Sequence, residues 1–305
     1  MKINFIIVLL LISGHIAGQQ LSNSWKDINY AGDDMNYHML DIYLPQIKKP
    51  SYPVIVIVYG SAWLSNNLKG TDLETLGYPL LNAGFAIVMP NHRSSADAKF
   101  PAQINDIKAV IRFIRANAVK YRFDTSFIGI TGSSSGGHLA SLTGTSGSVK
   151  KFTIGSSGAD LEGNIGQFGS FSSSVDAVVD WFGPTDFLSM DSCGSQMAHN
   201  PPDSPESRLI GGPIQENMDK CKLADPATYI DSNDPPFLIF HGDKDPLVPF
   251  CQSEMFFKAL QKAAVPSQYF LVEGAQHGPG LFVEKYFTMM AEFFKKQVED
   301  KKAKK

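Results

Sequence analysis

The chain has 305 residues, 43% of them hydrophobic and 19% charged. That is globular composition, too apolar for a disordered chain and without the G-X-Y period of collagen. Its 27 basic against 30 acidic residues give a net charge of −3. This is no basic excess of the kind a nucleic-acid binder needs, and no apolar run reaches the ~18 residues of a transmembrane helix.

Lys2, the unbroken apolar run 5–12 and the small residues Ala17 and Gly18 follow one another in the order of a secretory signal peptide. Residues 1–18 are therefore expected to be cleaved near Gly18 and the chain exported, to the periplasm or fully secreted, with no membrane insertion afterwards. No Cys follows the apolar run, so no lipid anchor is expected.

Segments 25–30 and 37–44 alternate like strands around Gly32, Asp33 and Asp34, which predicts an antiparallel hairpin. From residue 54 the pattern changes. Runs 54–59, 85–89, 127–131, 175–182, 237–241 and 269–272 are continuously apolar, as strands buried on both faces are. Between them, 72–82, 137–143, 253–264 and 282–296 read as helices. The clearest helix follows Pro101, where Ile104, Ile107, Ile111, Ile114 and Ala118 recur at spacings of three and four. Alternating strands and helices predict an α/β fold with a mostly parallel central sheet and helices on both faces. Residues 184–236 break the rhythm. They form about fifty residues rich in Pro, Asp, Ser and Gly without a clear strand, and a cap-like, mobile insertion over the pocket is expected there. The domain is taken as 19–298, with 299–305 a solvated basic tail. Three cysteines (Cys193, Cys221 and Cys251) form no CxxC spacing, so one optional disulfide or none is expected and no metal role.

Gly132-Ser133-Ser134-Ser135-Gly136 follows the strand 127–131 and precedes a helix. G-x-S-x-G at a strand-to-helix turn is a nucleophile elbow, which presents the middle serine, Ser134, at the top of a sheet. The elbow predicts an acid and then a histidine downstream. Only His277 lies beyond the sheet-end acids near position 243. His241 reads as structural, His138 as packed behind the elbow, and His92 as a weaker pocket candidate. The acid is Asp243 or Asp245, after the strand 237–241. Asp245 is preferred because Gly242 and Asp243 are needed for the turn, with Asp186 and Asp225 as distant alternatives. Oxyanion donors are expected from the backbone of Ser61, Ala62 and Ser135. Trp63 and Trp181, at strand ends, are candidate substrate platforms.

These stretches resemble the α/β-hydrolase carboxylesterases of the bifunctional feruloyl/acetyl-xylan type, in the hormone-sensitive-lipase-like branch. The likeness runs through residues 59–63, 91–93, 100–106, 132–140, 178–186, 234–237, 241–249 and 274–277. It implies an α/β-hydrolase fold and a triad of Ser134, His277 and Asp245, the last through the pattern H-G-x-x-D-x-x-V-P. It further implies an acylated plant-type polysaccharide or its fragments as substrate, and neither a metal nor an organic cofactor. Two departures stand out. Tyr59-Gly60-Ser61-Ala62-Trp63 replaces H-G-G-G-W, which narrows the acyl site and leaves acetyl better supported than feruloyl. Ser135 replaces the usual Ala and adds a hydroxyl that needs a partner. The alternatives are a small serine exopeptidase of aminopeptidase type and a non-catalytic glycan-binding relative. A missing triad member would suggest the latter, and none is missing.

Overall fold

The computed structural model describes residues 23–304, so the expected signal peptide and its cleavage point lie outside the described residues. Ten strands form: β1 (Asn23–Asn29), β2 (Met39–Leu44), β3 (Tyr52–Val58), β4 (Ala86–Pro90), β5 (Phe123–Ser133), β6 (Lys151–Ile154), β7 (Ser157–Asp160), β8 (Ala177–Trp181), β9 (Phe237–Gly242) and β10 (Ser267–Val272). Among the described residues eight α-helices join them: α1 (Tyr78–Asn82), α2 (Ala102–Ala116), α3 (Ala118–Tyr121), α4 (Ser135–Thr145), α5 (Pro205–Ile210), α6 (Met218–Ala224), α7 (Cys251–Lys262) and α8 (Glu284–Ala303).

Eight strands make one sheet in the order β1-β2-β4-β3-β5-β8-β9-β10. β1 and β2 pair antiparallel, β2 runs antiparallel to β4, and every later pair is parallel. This is the α/β-hydrolase arrangement expected from the sequence. The two-residue period of β3 divides the core. Val54, Val56 and Val58 pack with Ile107, Ile111 and Ile114 of α2 and Leu139 of α4. Ile55 and Ile57 face the other way, onto Leu80 of α1 and Met290 and Phe294 of α8. All the β3 valines and isoleucines are essentially inaccessible to water, each burial being worth about 1.5–3 kcal/mol.

Three features differ from the sequence reading. The hairpin β6–β7 went unforeseen, because Lys151, Phe152 and Thr153 are exposed and show no buried face. α8 extends to Ala303, beyond the expected start of a free tail, and Lys301 pairs with the Asp176 carboxylate. Segment 184–236 has no strand, but it carries α5 and α6, and its Leu209, Ile210, Ile214 and Ala224 join the main core cluster. A disulfide joins Cys193 in that segment to Cys251 at the start of α7, while Cys221 is a buried free thiol.

Candidate active site

Ser134 occupies the single residue between β5 and α4, at φ 55° and ψ −124°. A side chain in that region is strained and persists only where its surroundings hold it. Here the Ser134 amide donates to the Trp181 carbonyl (2.9 Å), and the Ser134 carbonyl accepts from the His138 amide (3.0 Å). The turn closes only because backbones touch. A Cβ on Gly136 would stand 2.1 Å from the Val58 carbonyl oxygen, and one on Gly132 2.4 Å from that of Gly136.

Gly242 ends β9 in the same manner: a Cβ there would lie 2.2 Å from the Ala275 carbonyl oxygen. The close approach brings the loop carrying His277 beside the loop carrying Asp245. Asp245 Oδ2 is 2.7 Å from His277 Nδ1, and Oδ1 accepts the Leu247 and Val248 amides at 2.9 Å each. Because an ionised carboxylate only accepts, the proton sits on Nδ1 and Nε2 of His277 is the free base nitrogen. Burial by itself pushes the Asp245 carboxyl up, but hydrogen bonding to His241, His277 and the Val248 amide holds it well below the usual carboxylate range. His241 Nε2 stands 3.4 Å from Asp245 Oδ2, and its ring is fixed by Ser253 Oγ (2.7 Å) and the Val248 carbonyl (2.8 Å). Asp243 instead accepts the Gly274 amide at 2.6 Å, bracing the turn after β10. Asp186 and Asp225 cap short turns through the Leu188 and Ala227 amides.

Ser134, Ser135, Ala62, Trp63 and His277 line one cavity of about 60 Å³, with Met197, His199 and Glu206 from the insertion on its wall. Two expectations need correction. The Ser61 amide does not stand free for an oxyanion, since it donates to Ser135 Oγ at 2.8 Å, which is the partner the extra hydroxyl required. Ala62 and Ser135 remain as donors at the cavity, the latter amide heading α4 where no intrahelical acceptor exists. Ala62 and Trp63 both adopt positive φ (51° and 57°), the conformation glycines would take without strain. Trp181 is fully buried, stacked on Phe240 at 4.4 Å and away from the cavity, so it is core rather than a platform. Trp63 borders the cavity but is only 1% exposed, edge-on to His138 and Phe187.

Two other histidines are packed. His138 Nε2 bonds the Ala224 carbonyl (2.8 Å), and burial lowers its pKa to about 4, so the ring is neutral. His92 is stacked 4.7 Å from Tyr59 and is likewise pushed down by burial. His199 and Glu206 escaped the sequence reading. They flank a proline-rich turn in a stretch without periodicity, where no local pattern marks a side chain as inward. Among the described residues no group of three or more His, Cys, Asp or Glu could hold a metal ion.

The chain is similar to several known proteins. The BD-FAE family model matches residues 40–260. A solved structure titled as a truncated carbohydrate esterase from gut microbiota is 47% identical. It superposes with a TM-score of 0.89, covering 92% of this chain and 98% of that one. A bifunctional GH43-CE protein of Bacteroides eggerthii is 54% identical with a TM-score of 0.86, over 90% of this chain and 35% of that one. Esterase LipQ of Mycobacterium tuberculosis is 30% identical over 93% of this chain and 64% of its own length. The chain spans about half to two-thirds of the length of the first curated relatives it matches. On the match over residues 40–260, the chain belongs to the BD-FAE family of hormone-sensitive-lipase-like esterases.

Proposed function

We propose that the protein is an exported serine carboxylesterase that removes small acyl groups, acetyl first among them, from polysaccharides or their fragments. The observation that carries this reading is the 2.7 Å Asp245–His277 contact beside an elbow serine in one shared cavity. Ser134 Oγ attacks the ester carbonyl carbon while His277 Nε2 takes its proton. The Ala62 and Ser135 amides receive the developing oxyanion. Collapse of the tetrahedral intermediate breaks the bond to the sugar oxygen, which leaves with the proton from His277. Water, deprotonated by the same nitrogen, then releases the acid from Ser134. Asp245 holds the tautomer and stabilises the imidazolium.

Size supports acetyl. A cavity of about 60 Å³ holds a few water positions at about 10–15 Å³ each, room that suits a two-carbon acyl group better than a feruloyl ring. The likeness to a 47% identical carbohydrate esterase from gut microbiota supports a sugar ester. The leader-like residues 1–18 and the Cys193–Cys251 disulfide both suit an oxidising, exported location. The test is a panel of acetylated xylan, feruloylated oligosaccharide, short p-nitrophenyl esters and aminoacyl anilides. Acetyl esters should lead by kcat/KM. Faster cleavage of the anilides or of the feruloyl ester would reject the reading.

A further inference from the structure

The wall of the cavity at Ser134 holds a second histidine–carboxylate pair that the mechanism does not use. His199 and Glu206 are 0% and 3% exposed, and both line the cavity with Ser134 and His277. His199 Nδ1 is 3.0 Å from Glu206 Oε1. His199 Nε2 lies 3.0 Å from the Leu247 carbonyl and 3.0 Å from Ser195 Oγ, which itself donates to that carbonyl. Both ring nitrogens thus face acceptors. Although burial opposes the charge, Glu206 outweighs it and the His199 pKa is raised. Two atoms of the pair make no hydrogen bond among the described residues: His199 Nδ1, which is close to Glu206 without being bonded to it, and the buried Glu206 Oε2. A buried carboxylate oxygen left unsatisfied is costly.

We propose that Glu206, held in place by His199, accepts a hydrogen bond from a hydroxyl group of the substrate's sugar, next to the ester being cut. The site would then select partly acylated sugars over fully substituted ones. This rests on the sugar-ester reading above. Two observations favour a hydroxyl as the ligand. The free carboxylate oxygen can only accept. The cavity is small enough to place an acceptor on its wall close to the acyl oxygen.

The test compares a monoacetylated methyl pyranoside with a free neighbouring hydroxyl against its O-methylated counterpart. Each is assayed with the wild-type protein and with Glu206→Gln. The wild type should favour the free hydroxyl by roughly 10- to 100-fold in kcat/KM, and Glu206→Gln should shrink that ratio to within about threefold, because a charge-assisted bond is lost. If the variant does not fold, the wild-type ratio decides alone. A wild-type ratio near one, or a ratio that Glu206→Gln leaves intact, overturns the proposal while the sugar-ester reading stands. Turnover of p-nitrophenyl acetate with neither sugar ester cleaved overturns both.

Discussion

Ser134, Asp245 and His277 sit on three separate loops; the bare Gly242 lets the Asp245 and His277 loops approach, and Gly136 sets the Ser134 turn against the end of β3. If the three act as one unit, Ser134→Ala and His277→Ala should each lower kcat roughly 10⁴- to 10⁶-fold, and the double variant little further. Asp245→Asn should cost on the order of 10⁴-fold by leaving the wrong tautomer, whereas Asp243→Asn, which only weakens a turn, should cost far less. Steady-state kinetics on an acetyl ester checks all four, and an Asp243 variant worse than Asp245→Asn would reverse the assignment. Asp245 also bears on acid stability. Its carboxyl is held below its unfolded value near ~3.9. Its contribution is therefore complete above about pH 4 and lost as pH falls further. Urea unfolding between pH 3 and 6 should show a shallower acid loss in Asp245→Asn than in the wild type. At this scale spacing and strand-end position pointed to Ser134 and His277 and left the acid as Asp243 or Asp245, with Asp245 preferred. The sequence reading missed the Ser61 amide bond to Ser135 Oγ because two loops 74 residues apart meet there. It also placed Trp181 in the pocket, since position at a strand end does not tell which face the ring takes.

Among the elements, β3, β8 and β9 were plain in the sequence because doubly buried strands carry unbroken apolar runs. β6 and β7 were not, because four-residue exposed strands have no such mark. The insertion was visible only as an interruption. Its α5 and α6 are six and seven residues long, too short for a period to register, and they bury their faces through tertiary contacts. We therefore expect divided behaviour within 184–236. Residues 205–224, with Leu209, Ile214 and Cys221 buried, should exchange amide hydrogens slowly. Residues 191–203, mostly solvent-facing apart from His199, should exchange fast and form the mobile part of the cap. Exchange mass spectrometry with peptide resolution separates the two, and uniform protection across both would contradict a moving cap. Gly136→Ala tests the elbow from the opposite side. Its Cβ would meet backbone, so the loss should show as a large drop in Tm or in soluble yield.

For the whole molecule, the Cys193–Cys251 link closes a loop of 58 residues. In the chain-entropy account such a loop stabilises by about 4 kcal/mol. Reduction should lower the denaturant midpoint accordingly, and thiol labelling of the reduced native protein should count two cysteines, not three. Cys221 is buried and its thiol is pushed up to about 12, so it should react only on unfolding. Export carries its own check: intact mass from the native host should begin near Gln19, and a retained Met1 would refute cleavage.

The direction of the first strand has a practical consequence. Because β1 is antiparallel to β2 and β2 to β4, β1 points the same way as the central strands. Asn23 therefore enters the sheet at its outer edge, at the end remote from the carboxyl ends of β5 and β9 where substrate must arrive. A polypeptide spliced ahead of Asn23, whether an affinity handle or a second catalytic module, would hang behind the reaction centre. Such a fusion should leave kcat/KM on a small acetyl ester unaltered, and the fold is thus free to travel as one unit within longer enzymes.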